Sequence, residues 1–306
     1  MTQTLYINSS LKKAATTYIH QLFYNNHLVP YGKKADELIV PPIKEWYLIP
    51  RVRPLISGVP TNLINLPQKA SKIYSSLQDE NQKQFCSNVI DYPYCFQPSE
   101  IDIVNRIKFI LSAFPRDAHI LISDPNFLAD IGLMDQCKSV DLIKFFKIFS
   151  LSFKVRFFNI YRDPSDCAAS LLKMHYAKKL SQSINLNFFN AYGNLLLLYN
   201  SLLKSQCTTS IYAFDFKCVT QNPSKFFDLF SQKYQFSINQ EFVDPGNPNS
   251  SKDRNVSYDS LNNEIKNLKL KIKQTDCAFD VIFHDQIKNN FCINLNHYFE
   301  NSMKIV

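Results

Sequence analysis

Apolar positions along this chain switch repeatedly between two spacings, and the switching predicts strands separated by helices. Short runs rich in β-branched and aromatic residues read as strands: Thr4 to Asn8 (TLYIN), His119 to Ser123 (HILIS), Lys154 to Tyr161 (KVRFFNIY) and Ser210 to Phe216. Helical spacing appears between them. Ala14 to Asn26 puts Ala15, Ile19, Leu22 and Phe23 on one face, and Met134 to Ser150 and Asn190 to Ser205 read the same way. Ser99 with Asp102 resembles a capping box and opens a helix to about Phe114. Asp163-Pro164 places a favoured cap before a favoured first helical residue, and Pro223 opens a helix to about Tyr234. Strands alternating with helices imply an α/β fold with a doubly wound, mainly parallel sheet flanked by helices. No linker rich in Pro, Gly or Ser breaks the alternation, so residues 1–306 are expected to form a single domain. Residues 28–98 carry prolines at 30, 41, 42, 50, 54, 60, 67, 93 and 98 and are read as an irregular insertion with short helices of its own.

Composition narrows the chemistry. With 45% hydrophobic residues over 306 positions the chain can bury a large core. Its net charge of +8 favours a negatively charged partner, but the basic residues are spread out rather than striped. Nucleic acid is therefore not expected, whereas a small phosphorylated ligand fits. Only 5 glycines occur, which argues against a glycine-rich loop. The 8 cysteines include no C-x-x-C pair, so neither a zinc site nor a disulfide framework is expected, and reduced thiols suggest the cytoplasm. Met1 to Asn8 lacks the pattern of a signal peptide, and no apolar run is long enough for a membrane span.

Two segments can carry chemistry. Leu11 to Tyr18 (LKKAATTY) directly follows the first strand and opens the first helix. A phosphate there would meet backbone N–H groups, the hydroxyls of Thr16 and Thr17 and the positive end of the helix dipole. Lys13 can set an ammonium against an anionic oxygen. The pattern is not a Walker A loop, and a lysine pair before an ordinary helix cap would look similar. The second segment is Tyr161 to Ser170 (YRDPSDCAAS). Arg162 ends a strand, where its guanidinium can grip a phosphate bidentately. Ser170 lies about two helical turns further on, within reach of the same ligand. The plainer reading pairs Arg162 with Asp163 or Asp166 and leaves Ser170 as a small residue at a helix contact.

Taken together, K-x-x-T-T after strand one and strand-R-D-P-x-x-x-x-x-S later resemble the two signature elements of PAPS-dependent sulfotransferases, in a divergent, bacterial or glycan-type form. PAPS is 3′-phosphoadenosine 5′-phosphosulfate. Ser210 to Tyr234 resembles the family's final core strand and following helix, and Arg254-Asn255-Val256-Ser257 its later motif. The resemblance leaves out residues 28–98 and the tail beyond about 275. It implies a P-loop-like fold and a nucleotide site comprising Lys13, Ala14, Ala15, Thr16, Thr17, Tyr18, Arg162, Ser170, Lys252 and Arg254. The first element would hold the 5′-phosphosulfate, and Arg162 with Ser170 the 3′-phosphate. Where the family has Pro-Lys-Ser-Gly-Thr-Thr, this chain has Lys12-Lys13-Ala14-Ala15-Thr16-Thr17. Ala15 thus stands in a glycine position, where a Cβ narrows the cradle and penalises positive φ.

The activity so implied is transfer of a sulfuryl group to a hydroxyl acceptor, with no metal required. Lys13 would stabilise charge on the leaving phosphate, and Asp124, just after the HILIS strand, would serve as general base. Asp124-Pro125 suits a plain turn equally well. His20 is the weaker base, and His119, at the far end of its strand, reads as structural. The expected acceptor is a carbohydrate, bound with help from residues 28–98. Two other readings use the same features: a sulfotransferase-fold protein that binds nucleotide or glycan without catalysis, and, more remotely, a nucleotide kinase.

Overall fold

The computed structural model describes residues 3–11, 14–23, 46–49, 100–111, 116–123, 141–177, 187–235, 262–263, 265–267 and 278–302. Among these the sheet has six strands in the order β2-β3-β1-β4-β5-β6. They are β1 (Thr4–Asn8), β2 (Trp46–Ile49), β3 (His119–Ile122), β4 (Lys154–Tyr161), β5 (Ile211–Asp215) and β6 (Cys292–Asn294). The first five run parallel; β6 pairs antiparallel with β5. The helices are α1 (Thr16–Phe23), α2 (Glu100–Leu111), α3 (Leu142–Ser150), α4 (Pro164–Ala177), α5 (Asn187–Lys204), α6 (Phe216–Gln221), α7 (Pro223–Tyr234), α8 (Ala278–Asn290) and α9 (Leu295–Ser302).

Side-chain alternation along β4 distributes these helices over both faces of the sheet. Phe157 meets Phe146 of α3 at 4.9 Å, and Tyr161 meets Phe283 of α8 at 5.0 Å. On the opposite face Phe158 meets Phe230 of α7 at 5.0 Å, and Phe227 of α7 meets Phe23 of α1 at 5.1 Å. The sheet is therefore doubly wound, mainly parallel and flanked by helices, as the sequence predicts. Its central strands read as apolar runs because both faces are covered.

Predicted and observed boundaries differ where a cap intervenes. The first helix begins at Thr16 rather than Ala14, because Ala15 turns to φ 60° and supplies the carbonyl that accepts from Ile19 N–H at 2.9 Å. The helix expected from Met134 is described from Leu142, where the Asp141 carboxylate accepts from the N–H groups of Ile143 and Lys144. Within the stretch read as irregular, WYLI forms β2 and continues the sheet beside β3. Near the end of the chain, β6 closes the other edge.

The order 2-3-1-4-5 has a consequence for ligands. From β1 the chain lays β2 and β3 on one side, then crosses over to place β4 and β5 on the other. The order reverses between β1 and β4, and in open α/β sheets the crevice outside the carboxyl ends at such a reversal is where ligands bind.

Candidate functional site

Both segments singled out in the sequence leave the sheet at that reversal. Ser9 N–H donates to Phe158 O at 3.0 Å, carrying the β1–β4 ladder one step past β1. The loop then turns on its own side chains. Asn8 Oδ1 accepts from Ser10 N–H at 3.2 Å and from the Ser10 hydroxyl, while Asn8 Nδ2 donates to Ser123 Oγ at 2.9 Å beyond β3. Ser10 Oγ in turn accepts from Ile160 N–H at 2.7 Å, so a side chain replaces the carbonyl that a longer β1 would have offered to β4. Ser9 Oγ donates to Phe158 O at 2.9 Å and lies 2.5 Å from the Tyr199 hydroxyl of α5. Asn8, Ser9 and Ser10 are all buried. They build the loop and face no solvent.

A turn closed by Ala14 N–H on Leu11 O at 3.2 Å follows, with Leu11 and Ala14 both packed into the core. Ala15 then adopts the left-handed conformation usual for glycine. Its methyl packs against the core cluster, so the cost is conformational, about 1 kcal/mol. Next, Thr16 opens α1. Its side chain is buried at 8% exposure, and Oγ1 finds no hydrogen-bond partner among the described residues. A buried unpaired hydroxyl is costly, and an oxyanion that reached it at the first residue of the helix would offset that cost. The first turn of α1 holds no acidic residue to oppose an anion.

At the end of β4, Arg162 is half-buried, with its guanidinium carbon 4.5 Å from the centre of the Phe216 ring. Phe216 begins α6 directly after β5, so the next loop along the edge gives Arg162 an aromatic platform. The Cys167 thiol donates to Arg162 O at 3.8 Å. Asp163 spends Oδ1 on capping α4, accepting from Ser165 N–H at 2.7 Å, from the Ser165 hydroxyl and from Asp166 N–H at 3.4 Å. Ser170 is half-buried on α4.

The described residues thus bring Ala14, Ala15, Thr16 and Arg162 to one carboxyl edge, on neighbouring strands joined by direct hydrogen bonds. The Tyr18 ring is buried in the core. Lys12, Lys13, Asp124, Lys252, Arg254 and most of 28–98 lie outside the described residues, as do the side chains of Thr17 and His20. His119 stands at the amino end of β3, its Nδ1 3.0 Å from the Tyr6 hydroxyl, on the edge remote from these loops.

Sequence reasoning did not single out the polar residues beneath the loop. Asn159, buried in the middle of the apolar run KVRFFNIY, was the available signal: its Nδ2 donates to Tyr199 OH at 3.0 Å. Sequence alone makes Phe216 the last residue of the strand from Ser210, whereas the strand ends at Asp215, whose carboxylate caps the helix that Phe216 begins. Burial pushes the Tyr199 phenol well above its ordinary range, and pushes the thiols of Cys218 and Cys292 up to about 11 and about 12. All three stay protonated at neutral pH. The described cysteines are free thiols, and no group of three or more His, Cys, Asp or Glu side chains gathers among the described residues. No described helix is long and apolar enough to cross a membrane.

No family model matches the chain, and no curated protein matches it. Solved structures do. A sulfotransferase domain from the curacin biosynthetic pathway aligns at 10% identity over 81% of this chain and 80% of that one, with a TM-score of 0.40. A sulfotransferase domain from the Synechococcus PCC 7002 olefin synthase aligns at 11% identity over 90% of this chain and 95% of that one, again with a TM-score of 0.40. Likeness at this level carries no argument about what this chain does.

Proposed function

We propose that the chain, read as one domain over residues 1–306, is a sulfotransferase that binds PAPS across the β1–β4 crevice and passes its sulfuryl group to a hydroxyl acceptor. One observation carries the reading: the loop after β1 and the Arg162 turn after β4 open side by side at the strand-order reversal. They are tied by Ser9 N–H to Phe158 O at 3.0 Å and Ile160 N–H to Ser10 Oγ at 2.7 Å. A nucleotide with phosphate groups at both ends can bridge two anion pockets so arranged. The Thr16 hydroxyl, without a partner among the described residues, suits the 5′-phosphate, and a guanidinium resting on Phe216 suits the 3′-phosphate.

In this reading PAPS is the sulfuryl donor, and the protein need form no covalent bond. The acceptor oxygen bonds to sulfur as the bond from sulfur to the 5′-phosphate oxygen breaks. Asp124 takes the acceptor proton, leaving a sulfate ester and 3′-phosphoadenosine 5′-phosphate. Lys13, Thr16, Thr17 and the N–H groups at the start of α1 hold the charge that gathers on the departing phosphate. Ser170 assists Arg162, and Lys252 with Arg254 close over the nucleotide. The acceptor is a carbohydrate hydroxyl, met by residues 28–98, and the protein works in the cytoplasm. A second reading, binding without turnover, is favoured by one observation, the alanine held at φ 60° where the cradle calls for glycine.

The test is release of 3′-phosphoadenosine 5′-phosphate from PAPS in the presence of saccharides, phenols or aliphatic alcohols. Turnover is expected with saccharides, falling about 100-fold in Lys13→Ala. Full transfer by that variant would overturn the mechanism, and tight nucleotide binding with no turnover on any acceptor would favour the second reading.

A further inference from the structure

We infer that Tyr199 is a positioning residue for the nucleotide loop, acting from beneath it through Ser9. This rests on the reading of the β1–α1 loop as the 5′-phosphate cradle. The neighbours of Tyr199 on α5 are apolar: Leu195, Leu196, Leu198 and Leu202 are buried in the core. A phenylalanine would satisfy the packing here. The hydroxyl instead reaches Ser9 Oγ at 2.5 Å, lies 3.5 Å from Ser9 O and accepts from Asn159 Nδ2 at 3.0 Å.

The phenol accepts from Asn159 Nδ2, and Ser9 Oγ donates to Phe158 O. With that assignment the phenol's single proton goes to Ser9, to its Oγ or to its carbonyl oxygen. Tyr199 is 1% exposed, and burial keeps its phenol protonated, so the donor persists at any working pH. Burying this many polar groups is expensive, and Asn159 Oδ1 finds no partner among the described residues. Such a net restricts where the loop can sit more than it adds to stability, because hydrogen bonds have direction and apolar contacts do not. Ser9 is followed by Ser10, which is pinned to β4, and by the turn into Ala15 and Thr16. Fixing Ser9 therefore fixes the entry angle of the cradle. Tyr199 itself touches no ligand.

The test compares Tyr199→Phe with Leu202→Ala, a core truncation on the same helix outside the net. Two quantities are read on the full chain: amide hydrogen exchange, and affinity for 3′-phosphoadenosine 5′-phosphate by titration. Tyr199→Phe is expected to speed exchange at Ser10, Leu11, Ala14 and Ala15 about tenfold and to weaken affinity about tenfold, with the interior of β4 and β5 unchanged. Leu202→Ala is expected to lower the melting temperature further yet leave loop exchange and affinity as in the wild type. Asn159→Ser, which removes the amide but keeps the phenol, should show the same loop-selective effect at smaller size. Unchanged loop exchange in Tyr199→Phe, or an equal rise across loop and sheet, would overturn the inference. Should the wild type bind no nucleotide, the functional reading fails on that arm alone, and loop exchange still decides the role of Tyr199.

Discussion

The two central strands, β1 and β4, meet very different surroundings on one face of the sheet and at its carboxyl edge. On the face covered by α1 and α7 the contacts are aromatic. Phe230 alone stands within 4.7 to 6.1 Å of the rings of Tyr6, Phe23, Phe158, Phe214, Phe226 and Tyr234. At the edge a few residues away the contacts are polar, with Asn8 bonded to Ser10 and Ser123 and Tyr199 bonded to Ser9 and Asn159. Both regions are buried, but they do different work. Aromatic packing scales with area and tolerates small shifts, so it stabilises the fold without setting any one loop to a fraction of an ångström. A hydrogen-bonded net contributes little net energy but permits few arrangements. Stability and placement are thus separated in space, and substitutions should separate them too.

The largest effect on stability should come from Phe230→Ala. Truncating a fully buried phenylalanine costs about 4 kcal/mol by the transfer and cavity terms together. Chemical denaturation should show this loss while the folded fraction binds nucleotide as before. Next comes Arg162→Ala, whose effect should fall on the other side of the division. It should weaken 3′-phosphoadenosine 5′-phosphate by about 2–3 kcal/mol. Adenosine 5′-monophosphate, which lacks the 3′-phosphate, should bind almost unchanged, and stability should fall by about 1 kcal/mol through the lost contact with Phe216. A similar loss for both nucleotides would assign Arg162 to the wrong phosphate.

How much of this was legible in the sequence depends on where each residue type normally sits. The central strands were readable because a strand buried on both faces is mostly apolar and rich in β-branched and aromatic residues, as TLYIN and KVRFFNIY are despite Arg156 and Asn159. Asp163-Pro164 announced α4 because cap and first helical residue have distinct side-chain requirements. β2 was hidden because WYLI is short and flanked by the prolines of 28–98, and β6 because three residues carry no period. Tyr199 was masked by the leucines around it, which report only burial. The left-handed turn at Ala15 could not be read from alanine, a good helix former; only the family likeness marked the position.

That turn offers a finer probe of the edge. Ala15→Gly removes about 1 kcal/mol of strain and gives back about 0.5 kcal/mol in unfolded-chain entropy, so stability should rise by about 0.5 kcal/mol. Denaturant midpoints measure this, with nucleotide affinity expected to hold or tighten. A fall in stability would mean that the Ala15 methyl packing outweighs its strain.

An effect of similar size lies far from both regions, at Glu100. Its Oε1 accepts from Asp141 N–H at 2.9 Å, and its Oε2 pairs with Lys144 Nζ at 2.9 Å. The hydrogen bond from Lys144, then that from Asp141, holds the carboxyl below its ordinary value of 4.5. A depressed carboxylate stabilises the fold fully above that value and loses the contribution as pH falls through the lower, folded one. Glu100→Gln should therefore cost about 0.5 kcal/mol at pH 7, and the difference from wild type should shrink on acidification below 4.5. Denaturation at several pH values reads it.

Whether one nucleotide spans the two pockets at the β1–β4 edge is read by calorimetric titration of the intact chain with 3′-phosphoadenosine 5′-phosphate and with adenosine 5′-monophosphate. The doubly phosphorylated nucleotide should bind at least about 100-fold more tightly, as expected for a second charge-assisted, bidentate contact. Equal affinities, or no binding of either, would contradict such a span.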